Sequence, residues 1–169
     1  MSLPLGTFDG LWCSFAAAYF TDFRKTFSSW LKFLKKDAWV CIIDIDDLLG
    51  HEPLSENTRK GVQDFYEDAL SGGRYDFRAG RKVQSILEEN GFRVTRIDLT
   101  DKELSFDGPA SVEVSQAWKN RFNRMGGLKS FLGEEFTPFV EEFTQGISSV
   151  NHHSRCKVVC CIGTTVVSP

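Results

Sequence analysis

The chain has 169 residues, of which 41% are hydrophobic and 25% are charged, and these values are typical of a globular protein with a buried core rather than of a disordered chain. The formal net charge is −3 and no block of basic residues stands out, so the positive surface that a nucleic acid partner requires is missing. The apolar stretch "GLWCSFAAAYFT" is shorter than the roughly 20 residues of a membrane-spanning helix, and we therefore predict no membrane partner.

The first quarter of the chain alternates between strand and helix patterns. Residues 8–15, "FDGLWCSF", are a short apolar run whose composition is that of an inner strand rather than of a polar edge strand. Large apolar side chains then recur at helical spacing over residues 20–34, and the lysines of "KFLKK" are expected in the last turn of that helix. Residues 38–44, "AWVCIID", predict a second, fully buried strand.

Two helices and a third strand are predicted next. Ser55 marks the start of a helix whose apolar pattern ends at Gly72. A second helix has its apolar face at residues 83–87 and stops at Asn90, which is followed by a glycine suited to a helix end. Residues 92–99, "FRVTRIDL", have the β-branched and aromatic composition of a strand.

Helical spacing dominates the last third of the chain. It predicts helices over residues 114–125 and 128–147, with a kink or a break at Pro138. Residues 156–167, "CKVVCCIGTTVV", are then a last strand, buried on both faces.

This order of elements predicts the fold class. Strands that alternate with helices indicate an α/β domain with a largely parallel sheet. We predict one domain over residues 1–169, in which residues 107–150 form a helical insertion between the last two strands.

The stretch "CIIDIDDLLG" places Asp44, Asp46 and Asp47 at the end of the second strand. One interpretation is a magnesium-dependent phosphatase of the haloacid dehalogenase type that uses Asp44 and Asp46, with one carboxylate attacking phosphorus. The other is the carboxyl end of an inner strand, where the ligands of doubly wound sheets collect. The phosphatase pattern needs a late acidic pair for its metal, and because the last strand carries no acid we favour the second interpretation.

Four stretches in order resemble the C-terminal half of a class I S-adenosylmethionine-dependent methyltransferase of the small-molecule type. "FDGLWCSFAAAYF" resembles the fourth strand and the helix after it, and "WLKFLKKDAWVCIIDID" resembles the approach to the fifth strand. "ILEENGFRV" resembles the turn into the sixth strand, and "CKVVCCIGTT" resembles the antiparallel seventh. The resemblance covers residues 7–166 and implies a Rossmann-like, partial doubly wound sheet with helices on both faces.

The same resemblance implies the cofactor S-adenosyl-L-methionine. The family's glycine-rich first strand, and the acidic residue after its second strand that binds the ribose, have no counterpart in this sequence. The resemblance therefore implies a truncated methyltransferase, and it leaves Cys13, Ser14 and Phe15, at the end of the strand predicted over residues 8–15, as the cofactor-binding residues.

The reaction that the resemblance implies is methyl transfer to a small-molecule acceptor. Asp46 and His51 are the candidate catalytic residues, because either side chain can orient or deprotonate an acceptor hydroxyl or amine. The candidate substrate-binding residues, which we expect to border the acceptor pocket, are Tyr19, Asp44, Asp47 and Tyr75.

The histidines and cysteines near the C-terminus do not predict a metal site. Cys160 and Cys161 are adjacent on a strand and point to opposite faces, whereas structural zinc sites use paired ligands from separate turns. The five cysteines are odd in number and lack the spacing of a disulfide framework, which favours a reducing, cytoplasmic location.

A third hypothesis is a non-catalytic fragment that acts as an interaction module. It predicts self-association through an exposed edge of the sheet, since an unpaired strand edge is a template for pairing with another chain.

Overall fold

A computed structural model describes residues 3–165, and these residues form two compact units. The first unit contains the chain up to residue 46, residues 73–99 and the chain from residue 158 onward, and the second contains residues 47–72 and 100–157. In chain order the elements are β1 (Phe8–Ser14), α1 (Phe23–Trp30), β2 (Leu34–Asp46), β3 (His51–Glu52), α2 (Glu56–Ser71), α3 (Ala79–Glu89), β4 (Phe92–Leu99), α4 (Val112–Arg124), α5 (Gly126–Leu132), α6 (Phe136–Ile147), β5 (His153–Ser154) and β6 (Lys157–Thr165).

The first unit is built on a four-stranded sheet with the order β1-β2-β6-β4. β1 and β2 are parallel, and β6 is antiparallel to β4. The predicted α/β, Rossmann-like sheet with an antiparallel last strand is therefore confirmed. Residues 166 and 167 of the predicted last strand lie outside the described residues.

One face of this sheet carries the core of the first unit. Val40 and Ile42 of β2 both point to this face, since successive side chains of a strand alternate, and both are fully buried. Helices α1 and α3 pack against them with their apolar sides, through Phe27 and Val83 among others. Both helices of this unit thus cover the same face.

The helix predicted over residues 20–34 is shorter than expected, and the prediction that its last turn contains all the lysines of "KFLKK" is wrong in part. α1 begins after Asp22, whose carboxylate accepts a hydrogen bond from the Lys25 amide, and only a single 3-10 turn follows its end at Trp30. Lys35 and Lys36 lie on β2, because the chain is already extended and paired with β1 from Leu34 onward.

The predicted break in the helix over residues 128–147 occurs, but not at Pro138. α5 and α6 are separated by a 3-10 turn over Gly133–Glu135, where Gly133 adopts a positive φ of 57°. That conformation ends a helix and suits glycine. Pro138 lies in the first turn of α6, where its missing N–H has no helical partner to lose.

The second unit has an aromatic core. Trp118, Phe122 and Phe143 are almost fully buried and bring α4 and α6 together, with ring centroids 4.9 to 5.7 Å apart. The short strands β3 and β5 form an antiparallel pair, in which His51 lies opposite Ser154. None of the helices within residues 3–165 is both long enough and apolar enough to cross a membrane.

The approach of α3 to β2 at Gly80 predicts that adding one methyl group there destabilises the fold. A Cβ on Gly80 in α3 would lie 2.8 Å from the backbone of Ile45 and Asp46, which cannot rotate away. We expect Gly80→Ala to lower the free energy of unfolding by about 1 to 3 kcal/mol, as overpacking does, in a urea titration.

Gly61→Ala is the matched control, because Gly61 also lies within a helix but its Cβ would have only Leu132 near it, at 3.8 Å. Helix propensity alone then applies, and the control should be neutral or more stable by up to about 1 kcal/mol. Equal effects of the two substitutions would contradict the close approach.

Candidate functional site

In the first unit, the carboxyl ends of the parallel strands β1 and β2 lie side by side. The Phe15 amide, directly after β1, donates a hydrogen bond of 2.8 Å to the carbonyl oxygen of Ile43 in β2. The predicted cofactor residues and two of the predicted acidic residues, Asp44 and Asp46, therefore lie at the carboxyl ends of neighbouring strands. This edge is where ligands collect in open α/β sheets.

Asp44 is buried completely and fastens the turn after β1 to the end of β2. Its carboxylate accepts hydrogen bonds from the Ala18 amide at 3.2 Å and from its own neighbour Ile45 at 2.8 Å, and Ala17 contributes another backbone hydrogen bond. Burial raises the pKa of this carboxyl group, and the three backbone hydrogen bonds oppose that rise. Because backbone amides of the turn after β1 donate to this carboxylate, the role of Asp44 is to position that turn.

Asp46 lies two residues further on and has a different environment. Its side chain is largely buried, and the Arg81 Nε donates a hydrogen bond of 2.6 Å to its Oδ1. Arg81 is about half exposed and lies in the first turn of α3, the helix that Gly80 allows to approach β2. The ion pair with Arg81 therefore links the end of β2 to α3.

The two predicted tyrosines, 56 residues apart in sequence, lie together. The rings of Tyr19 and Tyr75 meet edge to face, with centroids 4.8 Å apart. The Asp76 amide donates to the Ala18 carbonyl at 2.8 Å, which ties the loop before α3 to the turn after β1. The tyrosine pair is thus held by the same turn that Asp44 fastens.

The three predicted cofactor residues have unequal access to a ligand. Cys13 is buried in the core of the unit, and burial, followed by the charge of Asp44, raises the pKa of its thiol, so the thiol stays protonated. Ser14 is partly buried. Phe15 is 49% exposed and has a positive φ of 51°, an uncommon conformation for a large side chain, which directs it out of the strand.

Two predicted site residues, Asp47 and His51, belong to the second unit. Asp47 also has a positive φ, 59°, and its carbonyl oxygen accepts a hydrogen bond from the Gly50 amide in a tight turn. Its side chain interacts with the buried Tyr66 hydroxyl and lies 3.8 Å from the Arg155 guanidinium. Asp47 therefore has structural contacts within the second unit, to Gly50, Tyr66 and Arg155.

His51 is 1% exposed and forms a buried pair with His152. The His51 Nδ1 lies 3.0 Å from the His152 Nε2, and the His152 Nδ1 lies 2.9 Å from the carbonyl oxygen of Gly108. A carbonyl oxygen can only accept, so the His152 Nδ1 carries the proton and its Nε2 is the acceptor. The His51 Nδ1 therefore donates, and its Nε2 is an unprotonated lone pair.

The surroundings of His51 keep it neutral. Its ring is enclosed by Phe106, Trp118 and Phe143, at centroid distances of 4.9 to 5.9 Å. Burial lowers the pKa of His51 to about 3, and the charges of neighbouring basic groups act in the same direction. Its Nε2 has no hydrogen-bond partner among residues 3–165, so it is a buried acceptor that stays unprotonated near neutral pH.

Several residues of these environments escape the sequence patterns. Asp76 accepts a hydrogen bond from the Arg78 amide just before α3, and an aspartate in the loop ahead of a helix is a sequence signal for such a turn. Arg81, His152 and Arg155 carry no such signal, because their roles come from contacts with residues distant in sequence. Within residues 3–165 no three metal-binding side chains converge on one point, and none of the five cysteines is in a disulfide.

The residues at the end of β1 fit S-adenosylmethionine on one side only. Phe15 offers an exposed aromatic face, which suits an adenine ring or a sulfonium cation, and Ser14 offers a hydroxyl group. The nearby carboxylate of Asp44, the type of group that binds ribose hydroxyls, is taken up by backbone amides. These residues can form one wall of a cofactor site.

Comparisons with solved structures identify the fold. Over 99% of its length the chain is similar to the YcgJ protein from Bacillus subtilis, with a TM-score of 0.55 and 16% identity, and it covers 68% of that protein. It is also similar to phosphoethanolamine N-methyltransferase 2 from Haemonchus contortus in complex with S-adenosyl-L-methionine, with a TM-score of 0.50 and 18% identity, where 97% of this chain covers 34% of the other. A geranyl diphosphate methyltransferase in complex with S-adenosylmethionine gives a TM-score of 0.50 and 15% identity, and 98% of this chain covers 54% of it.

The fold is therefore that of the class I S-adenosylmethionine-dependent methyltransferases, as the sequence resemblance predicted. The chain spans only a third to two thirds of the length of these structures, so it corresponds to part of that fold. No protein family model matches the chain, and no curated protein matches its sequence. The fold does not favour the phosphatase hypothesis, and the buried, hydrogen-bonded Asp44 is poorly placed to attack a phosphate.

The different environments of Asp44 and Asp46 predict different costs of truncation. Asp44→Ala leaves buried backbone amides without an acceptor, and we expect it to lower the free energy of unfolding by at least about 2 kcal/mol. Asp46→Ala should cost less than Asp44→Ala, because the Arg81 guanidinium is about half exposed and can turn to water. Urea titrations of the two variants test this, and similar costs would contradict the role assigned to Asp44.

The neutral His51 predicts a loss of stability in acid. Its folded pKa of about 3 lies below the ordinary value of 6.5, so between these pH values the unfolded chain binds a proton that the folded chain does not. The stability that the neutral His51 contributes is therefore fully present above pH 6.5 and is lost as the pH falls toward 3. We expect His51→Asn to flatten the dependence of the unfolding free energy on pH by about 1.4 kcal/mol per unit between about pH 4 and pH 6.

His153→Asn is the control for this titration, because His153 neighbours His152 in sequence but is exposed. It should leave the pH dependence as it is in the unmodified protein. A slope that is unchanged in the His51 variant would show that His51 is not a buried neutral group.

Proposed function

We propose that the chain is the acceptor-side part of an S-adenosylmethionine-dependent methyltransferase that acts on a small molecule. The observation that carries this proposal is the edge formed by β1 and β2, in a fold shared with two solved methyltransferases in complex with S-adenosylmethionine. Two loops distant in sequence meet there and bring Tyr19 against Tyr75. Enzymes on open α/β sheets use this end of the strands.

The wall of the cofactor site consists of Ser14 and Phe15. When bound, the cofactor supplies a methyl group on a sulfonium, which a nucleophilic atom of the acceptor displaces. Phe15 provides an aromatic face for a positively charged or planar group. Asp44 keeps this wall in place, because its carboxylate holds the backbone of the following turn. Cys13 contributes from within the core, as packing under the wall.

Asp46 is the residue we propose to orient the acceptor and to accept its proton. It ends β2, and the Arg81 Nε holds its largely buried carboxylate at 2.6 Å. Tyr19 is 67% exposed, and its pair with Tyr75 offers an aromatic border to an acceptor. Methyl transfer needs no covalent intermediate, so alignment and exclusion of water supply most of the rate enhancement.

The catalytic role of His51 and the substrate-binding role of Asp47 stay predictions. The His51 Nε2 is an unprotonated acceptor, which is the state a base requires, but the side chain is 1% exposed. We also infer a cytoplasmic location, supported by five cysteines that are outside any disulfide, and no nucleic acid partner, supported by a net charge of −3.

Calorimetric titration with S-adenosylhomocysteine, the demethylated product, tests the proposed function. We expect a measurable heat of binding, and we expect Phe15→Ala to weaken the affinity about three- to tenfold because it removes the aromatic wall. Phe131→Ala is the matched control, since Phe131 is also partly exposed, at 40%, and lies outside the predicted site. It should bind as the unmodified chain does.

Two outcomes would count against the proposal. A chain that gives no heat and no shift of the unfolding temperature with either S-adenosylmethionine or S-adenosylhomocysteine would overturn it. Binding that Phe15→Ala leaves unchanged would show that the wall lies elsewhere.

A further inference from the structure

A chain of hydrogen bonds in the second unit leads from the His51 ring to a backbone carbonyl group. The His51 Nδ1 donates to the His152 Nε2 at 3.0 Å, and the His152 Nδ1 donates to the Gly108 carbonyl oxygen at 2.9 Å. Of the four ring nitrogens, the His51 Nε2 is the one that has no partner among residues 3–165. The carbonyl group sets the direction of the whole chain, because it can only accept.

The loop that carries this carbonyl group is fastened to the segment that contains His152. The Gly108 amide donates to the His152 carbonyl oxygen at 2.8 Å, so these two residues exchange two hydrogen bonds. The Ser154 amide donates to Asp107 at 3.1 Å, and the Ser154 hydroxyl donates to the Leu104 carbonyl oxygen at 3.1 Å. These contacts keep the His152 ring beside Gly108, so a change of protonation moves a proton and not the ring.

The charged groups that act on the His51 ring are cations. The ring meets the Trp118 indole edge to face, with centroids 4.9 Å apart, and the Arg121 guanidinium of α4 lies over the same indole at 4.5 Å. Burial lowers the pKa of His51 most, and His152, Arg121 and Arg155 lower it further. A positive charge on His51 is therefore opposed from every side.

The His152 ring has a more favourable environment for a positive charge. Burial lowers the pKa of His152 as well, and the neighbouring His153 acts in the same direction. The hydrogen bond to the Gly108 carbonyl oxygen and the charge of Asp107 both oppose this decrease. No such opposing group acts on His51 among the causes that shift its pKa.

We propose that the two rings form a relay for one proton, in which a proton taken up by the pair rests on His152 and turns the His51 Nε2 from an acceptor into a donor. The incoming proton forms an N–H bond at the His51 Nε2. The His51 Nδ1–H bond breaks, and its proton crosses the 3.0 Å hydrogen bond to the His152 Nε2. His51 is then neutral as its other tautomer, and His152 carries the charge. The proposal does not depend on methyl transfer.

Hydrogen bonding favours this final state over a charge that stays on His51. The cationic His152 has an acceptor for each of its two N–H groups, namely the Gly108 carbonyl oxygen and the lone pair left on the His51 Nδ1. A cationic His51 would instead have an N–H group at Nε2 with no acceptor among residues 3–165. Hydrogen bonds from a charged donor are stronger than those from a neutral donor, so the charge is more stable where both are made.

The relay lies entirely within the second unit. The aromatic rings around His51 come from Phe106, Trp118 and Phe143, and these residues belong to the same unit as both histidines. The relay therefore needs no group from outside this unit. Its result is a buried nitrogen that can accept a hydrogen bond before the pair takes up a proton and can only donate one afterwards.

Two-bond proton–nitrogen correlation spectra of the isotope-labelled chain test the relay, since they show which nitrogen of each ring carries a proton. The chain has three histidines, and their single substitutions by asparagine assign the signals. Near neutral pH we expect His51 and His152 to be protonated at Nδ1 alone. As the pH falls, His152 should gain a proton at Nε2, and His51 should lose its Nδ1 proton and gain one at Nε2.

A substitution of Asp107 tests where the charge rests. Asp107→Asn keeps a side-chain oxygen that can accept from the Ser154 amide but removes the negative charge near His152. The pair should then take up its proton at a lower pH, with the same tautomers in the neutral state. Glu134→Gln makes the same charge change at an exposed residue in the 3-10 turn before α6, and it should leave that pH unchanged.

Four outcomes would overturn the proposal. A proton on the His51 Nε2 near neutral pH would show that the hydrogen bonds run in another direction. A His51 ring that gains its second proton while His152 stays neutral would hold the charge itself. Unfolding, followed by circular dichroism, before either ring takes up a proton would show that the folded pair is no relay. An unchanged pH of uptake in Asp107→Asn would show that the charge does not rest on His152.

Discussion

The candidate site depends on one buried carboxylate. Asp44 lies at the end of β2 with no exposure to solvent, and it accepts hydrogen bonds from backbone amides of the turn after β1. Those amides are buried as well. If either the carboxylate or the amides were removed, the remaining group would be buried without a hydrogen-bond partner, which costs free energy. The same turn carries Phe15 and Tyr19, and its carbonyl group at Ala18 receives the loop that contains Tyr75.

The second unit relies on a different kind of buried polar group. The His51 and His152 pair is neutral, and one carbonyl oxygen, that of Gly108, sets the tautomer of both rings. A pair of imidazoles in an aromatic core therefore needs no counter-ion, unlike Asp44, whose charge requires several donors. The lone pair that remains on the His51 Nε2 is a consequence of that single carbonyl contact.

The order of strands and helices could be predicted from the sequence because apolar spacing is a local property. The errors arise where a tertiary contact outweighs the local pattern. Lys35 continues a helical pattern, yet pairing with β1 places it on a strand next to Asp9. Pro138 suggested the break in the last long helical pattern, yet the conformation of Gly133 ended the helix first and left Pro138 in a position that tolerates it.

The sequence by itself determined the α/β class, the place of "CIIDIDDLLG" at the end of a strand and the resemblance to methyltransferases, because these follow from the residues of single stretches. Only the tertiary structure decided what each carboxylate does. Asp44 and Asp46 have the same local context, but one meets buried amides 26 residues away and the other meets Arg81. The contact between His51 and His152 spans 101 residues and leaves no pattern along the chain, because hydrogen bonds depend on distance in space.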